Sequence, residues 1–355
     1  MVADNNLNND AIRNINQMIS YKKNYQDSKK NLLVYIDGND IIINGEHLGD
    51  KPQLIKITGT GKGFKILKTY PEQNSVSPEI MNKQLIQATR ESTSNHYGLI
   101  LWSHGSSWLP KSKTGKEELK SFGNDNGEKI DMFELQYAIP PNTFEFIMFD
   151  ACAMGSIECA YELKDKAEYI MASAAEVMAS GYPYNKMLPH LFKEYTDYQS
   201  AALEFYNYYN AKSSPDGHPF WYNAGCISVI ETRYLSELAL NTRKLLRGEG
   251  MRAFYSVNRN DLQILAKLPP ATFGLYDFEN MVKHLGIAKI SRFEEALQKA
   301  VKYKYSTPKL YSSGTSDKII NVKTFCGLSS YCPQDGDGSF STKYKQLAWY
   351  RDCYE

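Results

Sequence analysis

The sequence predicts an α/β fold built on a central, mostly parallel sheet, and three observations carry that prediction. Tyr97-Gly-Leu-Ile-Leu-Trp-Ser103 and Phe144-Glu-Phe-Ile-Met-Phe-Asp150 are short apolar blocks rich in branched and aromatic residues, the pattern of strands buried on both faces. Stretches with helical spacing lie between such blocks, giving a βα rhythm. Each block runs into a residue able to do chemistry, His104 after the first and Cys152 after the second, and in open α/β sheets ligands bind beyond the carboxyl ends of the strands.

The remaining elements follow from local pattern. Leu7, Ala11, Ile15, Met18 and Ile19 form a helical stripe, with Asn8, Asn9 and Asp10 suited to capping its start. Asn31 to Asp37 reads as a core strand, and Leu54 to Thr58 with Phe64 to Thr69 as a hairpin joined by a glycine-rich turn. That turn lacks the G-x-x-x-x-G-K-[ST] spacing of a phosphate loop and leads into a strand, so it argues against nucleotide binding. Ser77-Pro78 opens a helix to about Ser94, with proline at its first position. From Gly105 to Asn142 the chain reads as polar and irregular, with a helix only over Ile130 to Ile139; irregular segments of that length beside a site are usually functional or disordered. A helix over Ala153 to Leu163 and a strand over Tyr169 to Ala174 continue the alternation. Further helices read over Pro183 to Tyr195, Ser200 to Ala211 and Thr232 to Leu246, with a strand over Trp221 to Ile230 between. The remainder mixes helices near Asn260, Phe278 and Ser291 with short strands near Ile319 and Phe325, and it ends in an aromatic helix from Tyr344 to Tyr350.

Composition narrows the function classes. The chain has 355 residues, 42% of them apolar, enough to bury a substantial core. A formal net charge of +1 with no long basic run leaves no electrostatic footprint for nucleic acid. No apolar run approaches the roughly 18 residues of a membrane span. The abrupt opening Met1-Val-Ala-Asp-Asn-Asn-Leu7 suggests numbering that starts inside a longer product, whose export signal would then be missing. Six cysteines, at 152, 159, 226, 326, 332 and 353, are too scattered for a disulfide scaffold, although Cys326 and Cys332 are spaced to allow one bridge. No C-x-x-C spacing supports structural zinc.

Cys152 and His104 are the candidate catalytic residues. A thiol attacks as its thiolate, and a strand-to-helix junction would place Cys152 at a helix amino terminus, whose dipole favours that form, with an imidazole arriving from the neighbouring strand end. Gly105 allows close backbone approach, and its N–H with that of Cys152 would form an oxyanion hole. Taken singly, Cys152 reads as a small core residue and His104 as a loop histidine; their joint occurrence after two core strands favours chemistry. Cys159 reads as packing. The other histidines, 47, 96, 190, 218 and 284, have no partner at metal spacing. Asp335-Gly-Asp-Gly-Ser339 resembles half a calcium loop but lacks its glycine at the sixth place and an acid at the twelfth, so it reads as a turn. Asp125 is able to ligate calcium, and nothing in the sequence requires it.

His104-Gly105 and Asp150-Ala-Cys152, each after its apolar block, resemble the clostripain family of cysteine peptidases. Met1 to Leu7, Tyr97 to Pro110, Ser121-Phe-Gly-Asn-Asp125 and Ile157-Glu-Cys-Ala-Tyr-Glu162 extend the likeness, which covers most of the first 190 residues and the rest more loosely. The resemblance implies a caspase-like αβα sandwich with an additional C-terminal region. The expected division is a catalytic core over residues 1–212 and a region over 213–355 that completes the sheet. It implies a cysteine endopeptidase in which Cys152 attacks the scissile carbonyl and His104 protonates the leaving amine, with no third member of the dyad. Asp150 replaces the glutamine of the caspase signature Q-A-C-[RQG]-G, which points to Arg or Lys at P1, since a carboxylate on a pocket floor pairs with a cation. Family members often carry a second acid in the segment after the next strand; this chain has Ser180 there and Glu176 nearby, so the expected P1 pocket is Asp150, Ser180 and Glu176. Relatives are often cut between the histidine and the cysteine, which makes Lys111, Lys113, Lys116 and Lys120 the candidate self-cleavage points. No cofactor is required. Calcium dependence belongs to part of the family and is not indicated by these residues. The expected partners are protein or peptide substrates, in an extracellular or bacterial envelope location. The alternatives are an inactive binding protein on the same scaffold and a cysteine amidase acting on a small amide.

Overall fold

The structure is a computed structural model that describes the whole chain except residues 26, 28, 110–120, 220 and 269–272. In chain order the first elements are α1 (Asn8–Asn24), β1 (Leu32–Ile36), β2 (Ile41–Ile43), β3 (Glu46–Gly49), β4 (Gln53–Ile57), β5 (Phe64–Thr69) and α2 (Pro78–Glu91). Next come β6 (Gly98–Trp102), β7 (Phe122–Asp125), β8 (Glu128–Ile130), α3 (Met132–Ala138), β9 (Phe144–Asp150), α4 (Ile157–Glu162) and β10 (Ala167–Ala172). The chain continues through α5 (Tyr184–Leu191), α6 (Tyr198–Tyr209), β11 (Cys226–Glu231), α7 (Leu235–Leu245), β12 (Ile264–Leu268), β13 (Phe273–Asp277), α8 (Phe278–Lys283) and α9 (Ser291–Ala300). It closes with β14 (Val301–Ser306), β15 (Lys309–Tyr311), β16 (Ile319–Asn321), β17 (Ser329–Tyr331), α10 (Ser339–Tyr344) and α11 (Ala348–Tyr354).

The central sheet has the order β14-β11-β10-β9-β6. Its core, β6, β9 and β10, is parallel, and β11 and β14 join antiparallel, so the sheet is mixed around a parallel centre. Strand side chains alternate between faces, and β9 divides accordingly. Ile147 and Phe149 pack into a cluster with residues of α3, α4, α7, α9 and α11, while Phe146 and Met148 pack with α1, α5 and α6. Helices therefore cover both faces, as expected of strands that are apolar throughout. The 54–69 segment is the anticipated hairpin, and β1, expected as a core strand, pairs antiparallel with β4 in a separate three-stranded sheet. Residues 1–3 cross between the two sheets: the Val2 amide donates to the Trp102 carbonyl at 3.1 Å, and Val2 forms a parallel bridge with Asp37.

Two local readings beside His104 and Cys152 require correction. The stretch after His104 is not irregular up to its helix, because β7 and β8 form a hairpin that Gly105 joins through an antiparallel bridge to Phe122. The helix after Cys152 begins at Ile157, capped by Ser156, whose hydroxyl accepts from the Cys159 amide at 3.2 Å. The intervening backbone is held otherwise. Ala153 N–H donates to the Ala175 carbonyl at 2.8 Å and Gly155 N–H to that of Ser173 at 2.7 Å, and Ala153 turns through a positive φ of 59°. Amides committed to a neighbouring segment cannot enter a helical ladder, so tertiary pairing overrides local propensity there. All six cysteines are free. Among the described residues no helix is long and apolar enough to cross a membrane, and no cluster of three acidic, histidine or cysteine side chains is arranged to hold a metal ion.

Candidate active site

Strand register brings the two reactive residues together. In the β6–β9 pair Trp102 stands opposite Asp150, and two residues further on each chain lie His104 and Cys152. The strands continue in close contact past that rung. Ser103 N–H donates to the Asp150 carbonyl at 3.3 Å, and a Cβ placed on Gly105 would lie 2.5 Å from the Cys152 carbonyl oxygen and 3.0 Å from its amide nitrogen. Only glycine permits that approach. His104 and Cys152 line one cleft of about 280 Å3 with Gly105, Ser106, Gly123, Asn124, Lys129, Glu176, Leu268 and Ser313. A larger cavity of about 600 Å3, between β1 and β6, is mostly apolar and contains neither His104 nor Cys152.

The Cys152 thiol rests on Val177, donating to its carbonyl at 3.4 Å and accepting from its amide at 3.3 Å. Burial and then the nearby Glu176 carboxylate push this thiol up to about 12, while the Val177 amide works the other way. The helix-dipole activation expected of Cys152 is absent, because α4 starts five residues later. His104 is held below the ordinary histidine range by burial and then by the positive charge of Lys129. A thiol pushed up beside an imidazole pushed down describes a neutral pair at rest. Among the described residues neither the Gly105 nor the Cys152 amide donates to a protein acceptor, which leaves two neighbouring N–H groups for a developing oxyanion.

The residues assigned to a P1 pocket separate. Glu176 lines the cleft, its carboxylate accepting from the Ser313 amide at 2.8 Å, and burial raises its pKa. Asp150 and Ser180 are buried and do not line it. The Asp150 Oδ2 accepts from the Tyr182 amide at 3.0 Å and the Tyr184 hydroxyl at 2.8 Å, and burial pushes this carboxyl up to about 7. Ser180 Oγ lies 3.0 Å from the Tyr209 hydroxyl. The lysines at 111, 113, 116 and 120 fall outside the described residues. Asp337, from the half calcium loop, is paired with Arg259 at 2.5 Å. Cys159 is buried 3.7 Å from the Ser107 hydroxyl, a packing position.

Sequence reasoning missed several contributors. Asn6 places its side-chain oxygen 2.8 Å from His104 Nε2, and Asn124, Lys129, Leu268 and Ser313 complete the cleft. No local pattern marks them as site residues: Asn6 and Ser313 sit in turns, and Asn124, Lys129 and Leu268 belong to short strands that only the fold brings to the cleft.

A sequence model of the clostripain family, Peptidase_C11, matches residues 1–333. Clostripain of Hathewaya histolytica is 26% identical over 216 residues, 53% of this chain, so the chain spans about two-fifths of the length of that curated relative. Among solved structures, an inactive zymogen of a C11 protease from Parabacteroides distasonis is 30% identical, with coverage of 100% of this chain and 96% of that one and a TM-score of 0.84. A secreted C11 cysteine protease from Bacteroides thetaiotaomicron, solved with an irreversible peptide inhibitor, is 26% identical, with coverage of 99% and 96% and a TM-score of 0.83.

Proposed function

Because the chain belongs to the clostripain family, we propose that it is a cysteine endopeptidase working through Cys152 and His104. The observation that carries this reading is the shared cleft: one strand register delivers an imidazole and a thiol to the same rim, with two uncommitted amides beside them.

In the mechanism, a peptide carbonyl enters between Gly105 and Cys152. As Cys152 Sγ bonds to the carbonyl carbon, the thiol proton passes to His104, and the oxygen takes the charge against the Gly105 and Cys152 N–H groups. His104 then returns the proton to the leaving amine as the C–N bond breaks. Water hydrolyses the thioester with His104 as base. The neutral resting pair makes proton transfer part of the attack step. No metal or cofactor enters these steps.

The reading includes a basic P1 residue. Glu176 is the carboxylate at the cleft wall and supports this reading, whereas Asp150 and Ser180 are buried outside the cleft lining, paired with Tyr184 and Tyr209. A P1 cation beside Glu176 would also offset the charge that holds the thiol up, making the preferred substrate an activator of its own nucleophile. Self-cleavage after Lys111, Lys113, Lys116 or Lys120, peptide or protein substrates, and a location outside the cytoplasm complete the proposal.

The test is turnover of fluorogenic peptides carrying Arg, Lys, Asn, Asp or Leu at P1, with Cys152→Ala as control, together with labelling by an Arg- or Lys-directed chloromethyl ketone. Cys152-dependent turnover with basic P1 is the expected result. Turnover confined to non-basic P1 removes the pocket assignment. Binding without any turnover or labelling selects the inactive binding protein, and hydrolysis of small amides alone selects the amidase.

A further inference from the structure

We propose that Asn6 is a positioning residue for His104, fixing which ring nitrogen exchanges the proton with Cys152. The proposal rests on the dyad reading above. The sequence and the resemblance assign no third group; the structure brings one from the start of the chain, with Asn6 Oδ1 2.8 Å from His104 Nε2.

An amide oxygen only accepts, so this contact puts the ring proton on Nε2. Nδ1 then carries the lone pair, and among the described residues it has no protein hydrogen-bond partner. The proton of Cys152 is therefore taken up at Nδ1 as the S–C bond forms and delivered from Nδ1 to the leaving amine, while the proton on Nε2 stays there, donated to Asn6 Oδ1 throughout. A neutral amide fixes the tautomer without strongly stabilising imidazolium, which leaves His104 low, where burial and Lys129 put it.

The neighbouring contacts hold Asn6 in place. Asn5 Nδ2 donates to the Asn124 carbonyl at 2.6 Å and to the Val2 carbonyl at 3.2 Å, and Asn5 Oδ1 accepts from the Leu7 amide at 2.9 Å. These bonds set the turn that enters α1. The same turn is tied to the strand end bearing His104, since Ser103 Oγ donates to the Val2 carbonyl at 2.7 Å and Gly123 N–H to the His104 carbonyl at 2.9 Å. Asn6 and His104 are thus held from both sides by backbone contacts. Just ahead of the residues read as helix caps, Asn5 anchors the turn and Asn6 reaches the site.

The test uses the full chain and the peptide it turns over fastest, with Asn6→Ala and Asn6→Asp. Asn6→Ala is expected to lower kcat by about 10- to 100-fold, part of the 10²–10⁴ that general acid–base catalysis supplies, with KM and melting temperature unchanged. Asn6→Asp recovers most of that loss and moves the His104 limb of the kcat/KM pH profile upward, because a carboxylate stabilises imidazolium. Nitrogen NMR of labelled histidine gives a readout independent of activity: His104 is protonated at Nε2 in the native chain and becomes a tautomer mixture in Asn6→Ala. Unchanged kcat and tautomer in Asn6→Ala, or a loss wholly in KM, overturns the positioning role. Absence of Cys152-dependent turnover in the native chain overturns the dyad reading instead, whatever the tautomer.

Discussion

Gly105 and Cys152 meet backbone to backbone: a Cβ at position 105 would stand 2.5 Å from the Cys152 carbonyl oxygen and 3.0 Å from its amide nitrogen. The same contact brings together the two N–H groups that would hold an oxyanion. Gly105→Ala must separate the strand ends, since the obstacle is backbone and cannot rotate away. The expected outcome is a stability loss on the order of 1–3 kcal/mol and a fall in kcat of about 10²-fold, read by thermal melting and peptide turnover. Unchanged turnover with a measurable stability loss would detach this contact from catalysis.

Glu176 adds to the burial that pushes the Cys152 thiol up to about 12. Removing the negative charge favours the thiolate, so Glu176→Gln moves the pH curve of Cys152 alkylation by iodoacetamide to lower pH. If Glu176 also meets the P1 cation, the same variant raises KM for Arg and Lys substrates and narrows the gap to Leu. An alkylation curve that stays in place or moves upward would contradict the electrostatic account.

Self-processing predicts that Cys152→Ala protein remains a single band on a denaturing gel, while the native chain yields two fragments. Peptide turnover in that variant falls roughly a thousand-fold or more. Terminal sequencing of the fragments should locate the cut after Lys111, Lys113, Lys116 or Lys120. Identical fragmentation of Cys152→Ala would assign the cut to another protease.

Glu158 ties α4 to the C-terminal elements. One carboxylate oxygen accepts from Ser330 Oγ and the Tyr331 amide at 2.9 Å each and from the Tyr344 hydroxyl at 3.2 Å, while burial pushes its pKa up to about 7. Buried Asp150 is also pushed up to about 7. A carboxyl raised on folding binds its proton more tightly in the folded state. Its contribution is complete below the ordinary carboxylate range near 4 and is lost as pH rises through about 7. Melting temperature should therefore fall between pH 5 and 8 less steeply in Glu158→Gln than in the native chain, as followed by circular dichroism. Parallel curves would show that Glu158 ionises as readily in the folded state as in the unfolded one.

The sequence by itself determined the α/β class, the two strands that end before His104 and Cys152, and the hairpin over residues 54–69, because buried strands need contiguous apolar residues whatever surrounds them. It also singled out Cys152, His104 and Gly105, reactive or permissive residues standing just past those strands. Tertiary structure decided what local pattern does not encode. Helix α4 starts late because Ala153 and Gly155 give their amides to Ala175 and Ser173. Asp150 turns to the face of α1 and α5, where Tyr184 meets it, because β9 alternates its side chains. Asn6 reaches His104 only after the first residues of the chain have crossed from one sheet to the other. Each of these depends on hydrogen-bond partners far away in sequence, and only the assembled sheet brings them within reach.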